Sequence, residues 1–290
     1  EVTRNPEVFS NKGPKNAGGA KTSVNYCAKA DELLNTKGLG RLAPTLANTD
    51  PPSHTAYRRM AQEAFRPSGI KQMGDYVAAL TEELLDKVDG KREFDIIQEL
   101  AIPLPMFVIA DQIGVDRADL EKYKAWSEAY LYYYRPPKTE DELMRDAELV
   151  LEAQTYFRQR MAERRLEPRQ DVLSELVTGK LDGRLLTDKE VMSMIEFILV
   201  AGNETTTNGI GNGLWLMATQ PDLQRRLRAD PTLVPKFVEE CLRVESPAQA
   251  LMRTTTRDSV LGGVHIPADK QVLVIYASAN RDEAQFAQAA

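Results

Sequence analysis

The chain has 290 residues, of which 37 are basic and 43 acidic, so its formal net charge is −6 at pH 7. A hydrophobic share of 42% and a charged share of 28% are typical of a folded globular protein and exclude a disordered or fibrous chain. The acidic excess excludes binding to nucleic acid through a basic surface, and we expect no nucleic-acid partner.

The sequence contains two cysteines, Cys27 and Cys241, and two histidines, His54 and His265. With no CxxC pair and no clustered histidines, it predicts no structural zinc site. Two thiols indicate a reducing compartment rather than a disulfide framework, so we expect a cytoplasmic protein. No apolar run approaches the roughly 20 residues needed to cross a bilayer, and no membrane association is expected. The absence of an initiator Met predicts that N-terminal residues of the gene product are missing.

Apolar periodicity predicts a mostly helical chain. Apolar residues recur every three or four positions over 70–88, which predicts a helix that Gly90 ends in a left-handed conformation. Pro103 can occupy the first turn of a second helix, which Gly114 ends. Further helices are predicted over about 116–134, 140–165 and 233–244. After Pro247, the predicted elements are short strands at 260–261, 264–266 and 271–276, with Gly262-Gly263 as a turn.

The clearest predicted helix begins at Thr187, since Thr187-Asp188-Lys189-Glu190 has the spacing of a capping box. Its apolar pattern continues to about Ala218, which predicts a helix more than about 40 Å long. The chain shows no internal repeat and no low-complexity linker, so residues 1–290 are predicted to form one domain rather than two.

The middle of that helix contains an unusual stretch, Ala201-Gly202-Asn203-Glu204-Thr205-Thr206-Thr207. Glycine, a carboxylate and three threonines are poor choices for a helix interior, and broken local rules often mark a functional site. Small side chains let a flat ligand approach the backbone, and Glu204 with Thr205 forms an acid and hydroxyl pair able to relay protons. The alternative is that residues 203–207 form a surface turn between two helices.

Three further sets of polar residues are weak signals on their own. His54 and Arg58 are four residues apart, so both can donate hydrogen bonds to one anion, although a solvated surface explains them equally well. Glu240 and Arg243 are three apart on one helix face, where such pairs are common. Arg253 is an isolated cation after an apolar stretch and is also compatible with an ordinary surface position.

The order and spacing of these motifs are together more specific. His54-x-x-x-Arg58, Ala201-Gly202-Asn203-Glu204-Thr205, Glu240-x-x-Arg243, Arg253, Leu261 to Pro267 and Asn280-Arg281-Asp282 follow one another along nearly the whole chain. This series resembles the cytochrome P-450 superfamily, particularly its soluble bacterial members. The resemblance implies a mainly α fold, a helical prism with a small β region, that holds heme b.

The resemblance also implies roles for individual residues. Thr205 and Glu204 direct protons to iron-bound dioxygen above the distal face of the heme, close to Ala201. His54, Arg58 and Arg253 match positions that bind the heme propionates, and Glu240 with Arg243 matches a structural ion pair. Phe197 and Val200 border the substrate. The acid and alcohol pair favours dioxygen over peroxide as the oxidant.

The sequence departs from the family pattern in one respect. The iron ligand of the family is a cysteine thiolate in a Phe- and Gly-rich loop near the C-terminus, and no such loop precedes Ala290. Neither Cys27 nor Cys241 matches this motif, so no metal ligand is assigned. We therefore expect a partial catalytic domain, truncated at both ends, that lacks the N-terminal strand region and the cysteine loop.

Two functional hypotheses follow. In the first, the parent protein is a monomeric heme-thiolate monooxygenase that hydroxylates or epoxidises a small apolar substrate. Its electrons come from a ferredoxin or flavodoxin with its reductase, and Arg59 and Arg66 either meet that donor or form a solvated basic face. In the second, the chain is a catalytically inactive helical fragment, or a ligand- or partner-binding protein without a thiolate-ligated heme.

Overall fold

The structure is a computed structural model that describes residues 1–14, 26–40, 42–65, 67–130, 138–287 and 289. The helices within these ranges are α1 (Ala28–Lys37), α2 (Ser53–Ala64), α3 (Pro67–Asp86), α4 (Pro103–Ile113), α5 (Leu120–Tyr130), α6 (Glu140–Leu166), α7 (Val172–Thr178), α8 (Asp188–Thr219), α9 (Pro221–Ala229), α10 (Val234–Val244) and α11 (Tyr276–Ala279). The strands are β1 (Phe9–Ser10), β2 (Lys180–Leu181), β3 (Arg184–Leu185), β4 (Ala250–Thr255), β5 (Ser259–Leu261), β6 (Val264–Ile266) and β7 (Gln271–Ile275). The mainly α fold expected from the sequence is confirmed.

The chain divides into two compact units, each built from three separate segments. Unit 1 comprises residues 1–76, 106–201 and 253–271, and unit 2 comprises residues 77–105, 202–252 and 272–290. The prediction of one domain was made from the absence of a linker. The units have no such linker because the chain passes between them inside regular elements, including α8.

The core of unit 1 forms where α5, α6 and the first part of α8 bury their apolar faces. Trp126 and Phe157 are fully buried, and their rings meet edge to face with centroids 6.0 Å apart. Burying a large apolar side chain stabilises a fold by about 1.5–3 kcal/mol. In α8, six residues between positions 191 and 199 enter this core: Val191, Met192, Met194, Ile195, Ile198 and Leu199.

The long helix α8 begins as the sequence predicts. Thr187 Oγ1 accepts a hydrogen bond from the Glu190 backbone N–H at 3.3 Å, and the Glu190 carboxylate accepts one from the Thr187 N–H at 2.8 Å. These reciprocal bonds satisfy donors that the first helical turn leaves without partners. The helix then continues for 32 residues without interruption. The alternative of a surface turn at residues 203–207 was therefore wrong.

The other predicted helices are present with shifted ends. α3 ends at Asp86 rather than at Gly90, although Gly90 has the expected positive φ of 74°. α4 runs from Pro103 to Ile113 and is followed by Gly114 at φ 83°. α6 and α10 match their predicted ranges within one residue. α5 is shorter than predicted at its start, and residues 131–134 of that prediction lie outside the described residues.

The strands form small sheets. β5 and β6 pair as the predicted hairpin across Gly262 and Gly263, which both have positive φ. A three-stranded sheet has the order β1-β4-β7, and in it Phe9 pairs with Thr255. The sequence analysis missed the hairpin of β2 and β3. Its turn residues, Asp182 and Gly183, are a strong hairpin signal, and both adopt positive φ.

Unit 2 packs the second part of α8 against a π-helical turn at Ile97–Ala101. Thr207 Oγ1 donates a hydrogen bond to the Ala101 carbonyl oxygen at 3.0 Å. A Cβ atom at Gly211 would lie 2.9 Å from the Ile97 side chain, so glycine allows a close approach of α8 to this turn. Asn212 Nδ2 donates to the Glu245 carbonyl oxygen at 2.9 Å, which joins α8 to the end of α10.

Candidate functional site

The unusual stretch in α8 lies where the helix changes from buried to exposed. Val200, Ala201 and Gly202 are partly buried, whereas Glu204 and Thr205 are exposed. Neighbouring residues of a helix point about 100° apart, so Glu204 and Thr205 present their polar groups to the same side only in part.

The substrate residues predicted from the resemblance lie one turn earlier on α8. Phe197 and Val200 are partly buried and pack against the core of unit 1. Three and four residues separate Phe197 from Val200 and Ala201, so these side chains lie along one face of the helix. The helix thus places an apolar strip directly before the exposed acid and hydroxyl.

The two predicted anion-binding residues of α2 lie one turn apart in unit 1. His54 is partly buried and Arg58 is exposed. Arg253, on β4, is partly buried in the same unit. An arginine fork and a ring N–H are suitable donors for carboxylate groups.

A buried carboxylate joins α2 to the start of α8. Glu190 is 6% exposed, and its Oε1 accepts hydrogen bonds from Tyr57 Oη at 2.6 Å and Arg184 Nη2 at 2.7 Å. Its Oε2 accepts from Arg184 Nη1 at 2.8 Å and from the Thr187 N–H at 2.8 Å. The hydrogen bonds from Arg184 are the main cause that holds the pKa of Glu190 well below its usual value. Burial and the bond to Glu190 raise the pKa of Tyr57 to about 12.

A second acid on α8 has the opposite environment. Glu196 is partly buried between apolar residues of the helix, and desolvation raises its pKa to about 7. Burial is the main cause of the raised pKa of Tyr130, and the charge of Glu196 is the second cause. The Tyr130 hydroxyl is buried and has no hydrogen-bond partner within the described residues. Sequence reasoning missed Glu196, and the available signal was a single carboxylate in the apolar run from Val191 to Val200.

Glu240 and Arg243 form a bidentate ion pair on α10 in unit 2. Arg243 Nε lies 2.8 Å from Glu240 Oε2, and Arg243 Nη2 lies 2.5 Å from Glu240 Oε1. The pair lowers the pKa of Glu240 through the hydrogen bond from Arg243. Arg243 Nη1 also donates to the Asn280 carbonyl oxygen at 2.7 Å, and the Arg243 guanidinium lies 4.7 Å from the centroid of the Phe286 ring.

The predicted Asn280-Arg281-Asp282 motif closes the end of the same helix. Arg281 Nε and Nη2 donate to the Val244 carbonyl oxygen at 3.0 and 2.6 Å, and Arg281 Nη2 also contacts Glu245 Oε1 at 2.9 Å. A cation at a helix C-terminus satisfies free carbonyl groups and complements the helix dipole. The two motifs of this region therefore meet in unit 2.

The two cysteines lie in different environments, and neither is part of a sequence that matches the ligand motif. Cys241 is buried on α10, and desolvation, followed by the charge of Glu245, raises its pKa and so favours the neutral thiol. Cys27 is the N-cap of α1, where its sulfur accepts from the Ala30 N–H at 3.5 Å. Across the ranges that the structure describes, no three His, Cys, Asp or Glu residues cluster as a metal site. Likewise, no helix in those ranges is long and apolar enough to span a bilayer.

These features define a mainly helical protein in which one long helix carries an acid and hydroxyl pair. A model of the cytochrome P450 family matches residues 25–290, and the chain belongs to this family. Cytochrome P450 109 of Bacillus spizizenii is 34% identical over 268 residues, which cover 91% of this chain and 65% of that protein.

Two solved structures show the same fold. Cytochrome P450 CYP109Q5 from Chondromyces apiculatus is 34% identical to this chain and superimposes on it with a TM-score of 0.81. The match covers 99% of this chain and 68% of the CYP109Q5 chain. CYP109E1 from Bacillus megaterium in complex with testosterone has a TM-score of 0.76 at 34% identity, covering 85% and 67%. The chain spans 58% to 65% of the length of the first curated relatives that it matches.

Heme is the cofactor of this family, and the residues present fit part of a heme site. His54, Arg58 and Arg253 are donors of the kind that propionate carboxylates require. Ala201 and Gly202 have side chains small enough for a flat ring to approach α8. No iron ligand is assigned, because neither cysteine of the chain matches the ligand motif.

Proposed function

We propose that the protein to which this chain belongs is a heme-dependent monooxygenase. The exposed Glu204 and Thr205, in the middle of the long helix α8 of a cytochrome P450 chain, carry this proposal. The overall reaction takes one C–H bond or double bond of a substrate, dioxygen, two electrons and two protons. It gives an alcohol or epoxide and one water.

In this proposal the chain binds the heme, orients the substrate and supplies protons. His54, Arg58 and Arg253 hold the propionates, and Ala201 allows the ring to approach α8. Bound heme supplies the activation of dioxygen and the transfer of one oxygen atom to the substrate. With heme bound, Thr205 Oγ1 would be a hydrogen-bond donor for the reaction, and the exposed carboxylate of Glu204 would relay protons from solvent through water. Glu240 and Arg243 keep α10 and the chain around Asn280 in place.

The substrate in this proposal is a small, mostly apolar molecule. Phe197 and Val200 offer it an apolar surface directly before the acid and hydroxyl. The testosterone complex of CYP109E1 supports this class of substrate, since that protein is 34% identical to this chain. Testosterone is a mostly apolar small molecule with few polar groups, which suits an apolar surface of this kind.

The electron donor in this proposal is a ferredoxin or a flavodoxin with its reductase. Arg59 is exposed on α2, and a basic side chain at the surface attracts an acidic protein partner. Arg59 lies 4.0 Å from Asp182, which offsets part of its charge. Arg66 lies outside the described residues. We propose that the protein works as a cytoplasmic monomer.

The test uses the polypeptide encoded by the complete reading frame. We expect that frame to contain a Phe-x-x-Gly-x-x-x-Cys-x-Gly motif, and the reduced carbon monoxide spectrum of the purified protein to show a thiolate-ligated heme. The 290-residue chain alone is expected to give no such spectrum. A frame without that motif, or a product without that spectrum, would contradict the proposal.

The same protein tests the roles of the two residues on α8. Thr205→Ala is expected to keep the heme spectrum but to divert electrons from product to hydrogen peroxide, because proton delivery fails. Thr206→Ala, at the next exposed position, is the matched control and should leave the ratio of product to consumed electrons unchanged. Equal ratios in the two variants would refute the role of Thr205.

A second candidate function is supported by the cysteines. Cys241 is a buried thiol with a raised pKa, and neither it nor Cys27 lies in a sequence that matches the ligand motif. A helical protein that binds a ligand or partner without thiolate chemistry is the function that remains if the reading frame lacks the motif. The spectrum described above separates the two candidates.

A further inference from the structure

Few side chains of the helix α2 are buried. Tyr57 and Met60 are its buried residues among those whose side chains are described, at 6% and 9% exposure. Its N-cap, Pro52, makes no side-chain hydrogen bond. Ala56 and Ala61 also pack against the core, and the hydrogen bond of Tyr57 adds a directional contact that limits the rotation of α2 about its own axis.

The Tyr57 hydroxyl is held by Glu190, which lies 133 residues further along the chain. This bond uses Glu190 Oε1, whereas the capping box at Thr187 uses Oε2. Capping alone therefore does not require the contact with Tyr57. Arg184 grips both oxygens, at 2.8 and 2.7 Å, and fixes the plane of the carboxylate. The carboxylate is thus a rigid acceptor, built from β3 and the first turn of α8.

The position of Tyr57 between His54 and Arg58 makes this contact relevant to the anion-binding residues. At 3.6 residues per turn, His54 and Arg58 point about 40° apart, and Tyr57 points about 60° from His54 on its other side. A fixed Tyr57 side chain therefore sets the direction of both donors. Burial and the hydrogen bond to Glu190 raise the pKa of Tyr57 to about 12, so that its hydroxyl remains a donor well above neutral pH.

We propose that Tyr57 is a positioning residue, which, through its hydrogen bond to Glu190, orients α2 so that His54 and Arg58 bind the same anionic group of the cofactor. This inference rests on the proposed function, which assigns His54 and Arg58 to the heme propionates. Tyr57 itself touches neither cofactor nor substrate in this proposal.

The experiment compares two porphyrins that differ only in their carboxylates. Metal-free protoporphyrin IX and its dimethyl ester are titrated into the heme-free form of the polypeptide encoded by the complete reading frame, and binding is followed by quenching of tryptophan fluorescence. The wild-type chain is expected to prefer the free acid. Tyr57→Phe removes one hydrogen bond and is expected to reduce that preference about three- to tenfold.

The matched control is Tyr76→Phe. Tyr76 also donates its hydroxyl to a carboxylate, that of Asp111, in the same unit, but it lies on α3. Both variants lose a tyrosine–carboxylate bond, so a merely structural effect would be the same in both. Amide hydrogen exchange is measured in the porphyrin-free chain, where Tyr57→Phe should accelerate exchange within residues 53–64 and Tyr76→Phe should not.

The possible results separate the two levels of the proposal. A wild-type chain that binds both porphyrins alike, or binds neither, overturns the assignment of His54 and Arg58 and this inference with it. A wild-type preference that Tyr57→Phe leaves intact overturns the positioning role alone. Faster exchange in α2 together with a reduced preference, both absent in Tyr76→Phe, supports it.

Discussion

Two glutamates on α8, six residues apart, show how differently one helix can treat the same side chain. Glu190 lies in the first turn and accepts hydrogen bonds from Arg184, Tyr57 and Thr187, and its pKa is lowered. Glu196 lies among apolar residues, and desolvation raises its pKa to about 7. The difference shows that the partners brought by other elements, rather than burial itself, decide whether a carboxyl group stabilises the fold.

The largest effect is expected from removing the charge of Glu190. Glu190→Gln loses the ionic bonds to Arg184 and weakens the bond to Tyr57, and should lower the free energy of unfolding by about 3 kcal/mol at pH 7. Because the pKa of Glu190 is lower in the folded chain, its contribution is present above about pH 4.5 and is lost as the pH falls below that value. Urea unfolding at several pH values measures this, with exposed Glu148→Gln as the control. A loss equal to that of the control would contradict the interpretation.

Glu196 is expected to have the opposite effect on the pH dependence of stability. The folded chain favours the protonated form of Glu196, so the wild-type loses stability as the pH rises from about 4.5 through 7. Glu196→Gln should therefore be more stable than wild-type at pH 8, by about 3 kcal/mol, and nearly equal to it at pH 4. Unfolding at the two pH values checks this. A constant difference between variant and wild-type would show that ionisation of Glu196 is not the cause.

The smallest effect on stability is expected at the hydroxyl of Thr207, further along α8. Thr207 bonds to the buried Ala101, so Thr207→Val should cost about 1 kcal/mol by leaving that carbonyl without its partner. Thr206→Val makes the same chemical change at an exposed position and is expected to be nearly neutral. Thermal unfolding of the two variants is the measurement, and equal midpoints would mean that the bond contributes nothing.

The same comparison explains what the sequence could predict. The capping box at Thr187 is encoded within four residues, so its position and its role for Glu190 were predictable. The contacts with Tyr57 and Arg184 were not, because they depend on the packing of α2 and of the hairpin before α8. Glu196 gave a weaker signal, since an isolated acid in an apolar run reveals burial but not its neighbours.

The rest of the fold follows the same division. Helices with a clear period and a terminal glycine or proline, such as α4, were predicted closely. The sequence left both a helix and a surface turn possible for residues 203–207, because these residues are poor helix formers. Packing within unit 2, such as the hydrogen bond from Thr207 to Ala101, stabilises the helix there. The motif Glu240-x-x-Arg243 predicted a pair of side chains, but not its contact with the carbonyl oxygen of Asn280.

The pairing of β1 with β4 has a consequence for the order of assembly. Phe9 and Ser10 meet Thr255 and Thr254, so the strand at the beginning of the chain bonds with one near its end. During synthesis, β1 therefore stays without its partner until the chain has been extended through β4. Contacts this distant in sequence are slow to form, so β1, which has only two residues, is expected to pair late in folding.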